Sequence, residues 1–260
     1  MPTTNRTLRV AAAADIHCNK VNQGDLHALL TQMAQAADVL VLGGDLTNVG
    51  LTEEAEVLAK ELVSAVKIPV IGVLGNHDFE SGKQDEINRI LCDAGVSMLD
   101  GETCEVRGVG FAGIKGFGGG FGRSAVQSFG EQAIKQFVQE TVDDALRLES
   151  ALARLEDMPR VVIMHYSPIR ATVEGEPLEI FPFLGSSRLE EPLNRFEVAA
   201  VFHGHAHGGS PEGRTAGNVP VYNVSLPVLR KAFPDRPPFS LLEIPVTPAE
   251  MERPLSQLVR

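Results

Sequence analysis

The fold is decided first by the stretch LRVAAAADIH, residues 8–17. Its apolar part is too short for a membrane span and follows no strongly basic leader, so it predicts a strand buried on both faces instead of a signal peptide. The strand ends abruptly in two polar residues, Asp15 and His17. Because they lie two residues apart, an extended strand end would direct both side chains to the same side, where they could serve one site.

Four further apolar runs of strand length lie along the chain, and polar or glycine-containing sequence follows each of them. The runs are Val39–Leu42, Val70–Leu74, Val161–Met164 and Ala199–Phe202. They lead into Gly43-Gly44-Asp45, Gly75-Asn76-His77-Asp78, His165 and His203-Gly204-His205-Ala206-His207, in that order. In open α/β sheets, ligands bind beyond the carboxyl ends of the strands. We therefore predict that five segments distant in sequence deliver side chains to one point.

Segments with helical periodicity separate the first three runs. In the second of these segments, Thr52 is predicted to be the N-cap, with Glu53 and Glu54 in the first turn of an amphipathic helix. A longer helix that exposes one face is predicted from about Gln127 to Glu156. This alternation of strands and helices predicts an α/β fold.

Two irregular segments interrupt the regular elements. Gly116–Gly122 lacks the spacing of a Walker loop or a dinucleotide fingerprint and is predicted to be a flexible loop that could border the active site. Ala171–Ser187, rich in proline and glycine around apolar residues, is predicted to be an irregular excursion and a candidate substrate-facing rim.

The remaining sequence predicts two closing strands and a tail within one domain. Val219–Val224 and Ser240–Ile244 are predicted to be the closing strands, and residues 245–260 a peripheral tail. No linker divides the sequence, so residues 1–260 are predicted to form a single domain.

The net charge and the cysteine content of the chain indicate which classes of partner are disfavoured and which cellular location is expected. A formal net charge of -11 repels a phosphate backbone, and the sequence has no block of Lys and Arg, so nucleic acid is a disfavoured partner. The three cysteines, Cys18, Cys92 and Cys104, have no CxxC spacing, which predicts a reduced, cytoplasmic protein. No membrane association is predicted, and the sequence leaves the oligomeric state open.

The residues at the strand ends form a set of metal-binding donors. Carboxylate, imidazole and amide oxygen together suit manganese, iron or zinc, and the lack of thiolate pairs argues against a structural zinc site. Of the seven histidines, five lie in these motifs: His17, His77, His165, His205 and His207. That concentration favours metal binding over the packing role that a single histidine would suggest.

Structural roles are predicted for several nearby residues. His27 falls within a predicted helix and Ser167 beside a proline in a turn, while His203 and Cys18 are predicted to be packing residues next to the site. Two roles are open for Asp78, which could be a helix N-cap or a functional partner of the site.

The motifs together resemble the five-block signature of the calcineurin-like metallophosphoesterase superfamily, in order and in spacing. The resemblance implies an α/β sandwich of four layers, in which two mixed β-sheets pack together and helices flank them. It also implies two transition-metal ions, manganese, iron or zinc, and no other cofactor. By position, Asp15, His17 and His207 would bind one ion, Asn76, His165 and His205 the other, and Asp45 would bridge them. His77 would be the histidine that protonates the leaving group or stabilises developing charge, oriented by Asp78.

One departure from the superfamily narrows the activity. Its protein serine/threonine phosphatases usually have Asp-Arg-Gly after the second block and Glu after Asn-His, whereas this chain has Asp45-Leu46-Thr47 and Asn76-His77-Asp78. The chain is more similar to small bacterial-type phosphodiesterases and phosphatases. The expected function is hydrolysis of a small phosphomonoester or phosphodiester with hydroxide as nucleophile. A nuclease and a non-catalytic binding module on the same fold are the alternatives; a module should show broken blocks, and here every position is filled.

Overall fold

Two β-sheets form the centre of the molecule in a computed structural model that describes residues 6–19 and 23–246. The strands in this part of the chain are Arg6–Ala13 (β1), Val39–Gly43 (β2), Val70–Val73 (β3), Val96–Met98 (β4), Thr103–Val106 (β5), Val109–Gly113 (β6), Arg160–Ile163 (β7), Val198–His203 (β8), Glu212–Arg214 (β9), Pro220–Asn223 (β10) and Ser240–Val246 (β11). The helices are Gln23–Ala36 (α1), Thr52–Ala65 (α2), Gln84–Asp93 (α3), Gln132–Arg154 (α4), Phe181–Leu184 (α5), Glu190–Arg195 (α6) and Leu226–Ala232 (α7).

Both sheets are mixed, with parallel strands in the middle and antiparallel strands at an edge. The first sheet has the order β11-β1-β2-β3-β4, in which only β11 runs antiparallel to its neighbour. The second has the order β5-β6-β7-β8-β10-β9, in which β5 and β9 are the antiparallel edge strands. The parallel strands of each sheet therefore end at the same edge, as a shared site requires.

Apolar residues fill three spaces, which makes the fold a four-layer sandwich. Val10, Val41, Phe111 and Phe202 lie in the core between the two sheets. A second core packs α1, α2 and α3 on the outer face of the first sheet, and a third packs α4 on the outer face of the second. The predicted α/β sandwich of two mixed sheets flanked by helices is confirmed.

The five predicted buried strands are present as β1, β2, β3, β7 and β8, and the two predicted closing strands as β10 and β11. The predicted peripheral tail is wrong at its start, because Pro245 and Val246 belong to β11 and pair with β1. Residues 247–260 lie outside the described residues, as do residues 1–5 and 20–22.

The predicted N-cap of α2 is also wrong. Thr52 is already the first helical residue, and its hydroxyl donates to the side chain of Glu53. The backbone N–H groups before the helix are satisfied instead by Glu54, whose carboxylate accepts hydrogen bonds from Asn48, Val49 and Leu51 at 3.0 to 3.3 Å. One glutamate in the first turn thus fixes the loop that leads from β2 into α2.

Candidate metal centre

The residues after β1, β2 and β8 turn sharply at the strand ends. Asp15, His17, Asp45 and His205 all have positive φ, between 46° and 70°. Such values are uncommon for residues with a side chain and mark local strain that the surrounding structure must stabilise. The expectation that an extended strand end aligns Asp15 with His17 is therefore wrong; the turned backbone brings both side chains into the site.

Backbone hydrogen bonds hold these turns against one another. Asp15 N–H donates to Gly44 O at 3.0 Å and His17 N–H to Asp45 O at 2.9 Å, which joins the turns after β1 and β2. The N–H of His205 donates to both carboxylate oxygens of Asp15, at 3.0 and 3.1 Å. The last contact links the first sheet to the second, so the site straddles the two sheets.

Glycines make this close approach possible. A Cβ at Gly44 would lie 2.5 Å from Nδ1 of His165, and a Cβ at Gly204 would lie 2.5 Å from Oδ2 of Asp15. A side chain at either position would displace a residue of the site. The absence of a side chain at Gly44 and Gly204 lets the backbone lie close to these site residues.

One half of the site surrounds His165, which is fully buried. Its Nδ1 lies 2.9 Å from Gly43 O, so Nδ1 carries the proton and donates. Its Nε2 then faces two oxygen atoms, Oδ1 of Asn76 at 2.9 Å and Oδ1 of Asp45 at 3.3 Å. Three donor atoms of the kinds that bind transition metals converge at this point.

The other half of the site surrounds Asp15. Nε2 of His207 lies 2.9 Å from Oδ1 of Asp15, and Nε2 of His17 lies 3.8 Å from Oδ2 of Asp45. The ligand atoms of Asp15, His17 and His207 all lie within 4.8 Å of one another. Those of Asp45, His165 and His205 do the same in the first half.

The Asp45 carboxylate lies between the two halves. Its Oδ1 faces His165 and accepts a hydrogen bond from the N–H of His77 at 2.8 Å, while its Oδ2 faces His17. Only 1% of Asp45 is exposed to solvent. A buried carboxylate that shares its two oxygens in this way has the geometry of a bridging ligand.

The electrostatics of the site favour cations. Burial would raise the pKa of the Asp45 carboxyl, but His165 and the N–H of His77 hold that pKa well below its usual range. Burial likewise opposes a lowered pKa of Asp15, which His207 and His165 nevertheless maintain. Burial lowers the pKa of His165, yet the Asp45 carboxylate raises it to about 9. The two carboxylates thus attract positive charge, which a metal ion can supply in place of this proton.

His205 has its tautomer fixed by the excursion that contains α5. Its Nε2 lies 3.0 Å from the carbonyl oxygen of Phe183, so Nε2 donates and Nδ1 remains available as a ligand atom. Burial lowers the pKa of His205 to about 4, which keeps the ring neutral. Sequence reasoning missed Phe183, since a backbone carbonyl leaves no signal in residue type.

His77 lies at the open side of the cluster, with its ring 4.5 Å from that of His17. Its Nδ1 is 2.6 Å from Asn48 O and 3.6 Å from Oε2 of Glu80, so Nδ1 donates and Nε2 is left for another partner. The ring also lies close enough to His17 and Asp45 to complete a third group of metal-binding donors. The geometry therefore permits either a catalytic or a ligand role.

The N-cap prediction for Asp78 is wrong, whereas its role as a functional partner of the site stays a prediction. Asp78 lies inside the short 3₁₀ turn His77–Phe79 and does not cap it, and Asn48, not Asp78, contacts the His77 ring. The buried Asp78 carboxylate accepts hydrogen bonds from the N–H groups of Leu46, Thr47 and Gly75, and from the Thr47 hydroxyl, at 2.6 to 3.2 Å. These hydrogen bonds tie the loop after β2 to the turn after β3 and hold the two in register.

His203, His27 and Cys18 make packing or hydrogen-bond contacts of the kind predicted for structural residues. His203 is buried between the Thr172 hydroxyl and Gly204 O, each at 2.8 Å, and burial lowers its pKa to about 4. His27 on α1 contacts Glu61 on α2 at 2.7 Å. Cys18 is buried, and burial raises the pKa of its thiol to about 12, so it is not a thiolate nucleophile.

The two irregular segments differ from each other. Gly116–Gly122 is not a free loop, because Gly119 and Gly120 donate hydrogen bonds to Pro182 O and Gly185 O at 2.6 and 2.8 Å and its backbone is largely buried. Both acceptors belong to the segment Ala171–Ser187, which folds into short helical turns. Through Phe183 that excursion contacts His205, at the edge of the site.

A sequence comparison agrees with this arrangement. The sequence model of the calcineurin-like phosphoesterase family matches residues 8–209, a range that contains every residue of the cluster. No curated protein matches the chain. Among the described residues, no helix is long and apolar enough to cross a membrane.

Solved structures share the fold at low sequence identity. A phosphopantetheinyl hydrolase from Mycobacterium tuberculosis superposes with a TM-score of 0.64 at 16% identity, over 90% of this chain and 95% of that one. A Plasmodium protein described as the anchor in the inner membrane complex gives 0.55 at 12% identity, over 86% and 73%. A putative 5′-nucleotidase from Staphylococcus aureus gives 0.52 at 15% identity, over 84% and 48%. At such identities the likeness extends to the fold alone.

Proposed function

Because the chain belongs to the calcineurin-like phosphoesterase family and is a hydrolase of that family, we propose that it hydrolyses a small phosphomonoester or phosphodiester at a centre of two metal ions. The observation that carries the proposal is the position of Asp45, whose two carboxylate oxygens face two separate groups of donors. A single-ion site needs no such shared carboxylate.

We assign the ligands by these two groups. Asp15, His17 and His207 would hold one ion, Asn76, His165 and His205 would hold the other, and Asp45 would contribute to both. The donor set of carboxylate, neutral imidazole and amide oxygen suits manganese, iron or zinc. Two such ions lower the pKa of a water molecule and stabilise the negative charge that develops on a phosphoryl group.

The residues of the chain prepare the site for that chemistry. Gly43 O and Phe183 O hold the N–H of His165 Nδ1 and of His205 Nε2, so His205 presents an unprotonated nitrogen inwards, and His165 does so once a cation replaces the proton on its Nε2. His77 donates its Nδ1–H to Asn48 O and directs Nε2 towards the open side; in the doubly protonated ring, Nε2–H can give its proton to the departing alkoxide, which leaves the neutral ring still held at Nδ1. Asp78 keeps the loops of Asp45 and Asn76 in register.

The same fold occurs in a protein described as an anchor, so fold alone does not establish catalysis. The complete donor set favours an enzyme over a binding module. The acidic net charge of -11 favours a small ester over a polynucleotide. The three cysteines are unpaired, which supports a reducing, cytoplasmic location.

The proposal is tested by hydrolysis of bis(p-nitrophenyl) phosphate beside p-nitrophenyl phosphate. The protein is stripped of metal with a chelator, and Mn(II), Fe(II), Zn(II) or Mg(II) is restored one at a time. We expect no turnover without metal and restored turnover with at least one transition metal, with the better ester indicating diesterase or monoesterase activity. Protein that takes up both ions and hydrolyses neither compound would contradict the proposal.

A further inference from the structure

An aromatic cleft of about 470 Å³ opens directly beside the proposed metal centre. Its walls come from four separate parts of the chain: the turn after β3, the segment after β6, helix α4 and the segment after β7. The side chains that matter are Asn76, Phe79, Lys115, Phe117, Phe137 and Tyr166. Neither the family motifs nor the proposed chemistry requires any of these aromatic residues.

The cleft and the metal centre share a wall. Asn76 lines the cleft and also directs its Oδ1 to His165. Tyr166 follows His165 in sequence, and its ring lies 4.3 Å from the ring of His205. A phosphoryl group held at the centre therefore has its organic substituent within reach of the cleft.

The rings form a connected but incompletely covered surface. The ring of Phe117 lies 5.0 Å from that of Phe137 and 5.6 Å from that of Tyr166, both in tilted arrangements. Phe183 extends the group, with its ring 6.0 Å from Phe137. Phe79 and Phe183 remain 39% and 59% exposed. Aromatic surface left open beside a catalytic centre is typical of a ligand pocket.

Lys115 lies among the rings as the cation of the cleft. Its Nζ is 4.7 Å from the centroid of Phe117, 5.2 Å from Tyr166 and 5.4 Å from Phe79. It donates one hydrogen bond, to Gly116 O at 2.9 Å. An ammonium group has three donors, and within residues 6–19 and 23–246 no carboxylate forms an ion pair with this one. Lys115 therefore has donor capacity for a ligand.

The charges around the cleft indicate which ligand fits. Glu140 lies on its wall, and Asp100, Glu102 and Arg147 line the continuation of the cleft beyond Lys115, where Arg147 pairs with Asp100 at 2.8 Å. The carboxylates of Glu140 and Glu102 would repel a substituent with a second negative charge. A neutral, flat ring would contact the aromatic walls, and a ring nitrogen or oxygen would accept from Lys115.

We propose that this cleft is the subsite for the organic group of the ester, and that it selects esters carrying an uncharged aromatic or heteroaromatic ring. Phe117, Phe137 and Lys115 are its specificity-determining residues. The proposal rests on the proposed function, since it assumes a phosphate ester at the metal centre.

The test compares two esters of matched size and charge, phenethyl phosphate and cyclohexylethyl phosphate, whose alcohols leave with similar ease. In the wild-type protein with its metals restored, we expect kcat/KM to favour the flat ring by about 2- to 10-fold, mostly through KM. Phe117→Leu should reduce that ratio towards one. Phe129→Leu, at a residue that is 83% exposed and lies outside the cleft, is the matched control and should keep the wild-type ratio of the two kcat/KM values.

The lysine is tested with pyridylethyl phosphate above the pKa of the pyridine ring, where the ring nitrogen is an uncharged acceptor. Lys115→Met should lower the preference for pyridylethyl over phenethyl phosphate by about 3-fold or more, whereas Lys135→Met, on the exposed surface of α4, should not. Phe137→Leu provides a second aromatic variant if Phe117→Leu fails to fold.

The outcomes separate the two proposals. Turnover of all esters with equal kcat/KM for flat and saturated rings, or a ratio unchanged in both phenylalanine variants, would overturn the subsite and leave the metal chemistry standing. No turnover of any ester by metal-loaded protein would overturn the proposed function, and the subsite with it.

Discussion

At the scale of single residues, the site depends on buried carboxylates whose two oxygen atoms both face other residues of the site. Asp45 lies in a strained backbone conformation, with φ 49°, and its two oxygens face opposite halves of the cluster. Strain of this kind persists only where surrounding contacts outweigh it. Here the N–H of His77 and the rings of His17 and His165 supply those contacts.

His77→Ala separates the catalytic from the ligand role of that histidine. We expect the variant to keep both metal ions and to lose about 10²- to 10⁴-fold in kcat, because a proton donor to the leaving group is removed. His27→Ala, on α1, is the control and should keep both metal ions and the wild-type kcat. Metal content by mass spectrometry and kcat with restored metal are the measurements; loss of an ion from the His77 variant would make His77 a ligand.

Asp78→Ala tests a structural role against a catalytic one. The substitution leaves the N–H groups of Leu46, Thr47 and Gly75 without their buried acceptor, so we expect the free energy of unfolding of the metal-free protein to fall by about 3 kcal/mol or more. Asp93→Ala, the control, removes an exposed carboxylate at the end of α3 and should change the free energy of unfolding little. Urea denaturation measures both. An Asp78 variant with unchanged stability but lost turnover would restore the orienting role.

At the scale of elements, the loop from β2 to α2 connects the metal centre to the helix layer. Glu54, in the first turn of α2, accepts three backbone hydrogen bonds from this loop. The same loop presents the Asn48 carbonyl that holds the His77 ring. Through this loop, the first turn of α2 thus helps to position the His77 ring.

Glu54→Ala should therefore act on both stability and turnover. We expect the unfolding free energy to drop by about 2 kcal/mol and kcat to fall severalfold, because Asn48 O no longer holds the ring firmly. Metal content should stay the same. Glu56→Ala, an exposed glutamate on the same helix, is the matched control for charge and helix propensity. Equal kcat in the two variants would show that the loop does not position His77.

Much of this architecture is readable from the sequence, because buried parallel strands are continuous apolar runs and their ends carry recognisable donors. Short edge strands such as β4, β5 and β9 are not, since three or four residues of mixed polarity give no periodicity. The direction of Asp78 and the contacts of Asn48 and Phe183 depend on turned backbone and carbonyl groups, which residue identity does not reveal.

At the scale of the whole molecule, the two sheets meet along the edge where their parallel strands end. His165, after β7 of the second sheet, donates to Gly43 O of the first, and Asp15, after β1, accepts from His205 of the second. The metal centre is thus a junction between the sheets, and ions bound there would stabilise their packing as well as perform chemistry.

The acidic surface of the molecule predicts its salt dependence. A net charge of -11 gives an anionic ester no long-range attraction beyond the metal centre, so screening should change kcat/KM for bis(p-nitrophenyl) phosphate by less than about 3-fold between low and moderate salt. A nuclease acting on single-stranded DNA would lose activity steeply with salt. Initial rates on both substrates across a salt series distinguish the two. Efficient DNA cleavage with a steep salt dependence would favour the nuclease.

The most direct test of the central claim is the number of transition-metal ions bound per chain, measured by mass spectrometry after reconstitution and removal of free metal. We predict two ions per chain in the wild-type protein, and fewer than two in Asp45→Asn, because the amide cannot serve as an anionic bridge. One ion or none in wild-type protein that hydrolyses phosphate esters, or two tightly bound ions in Asp45→Asn, would contradict a centre of two metals bridged by Asp45.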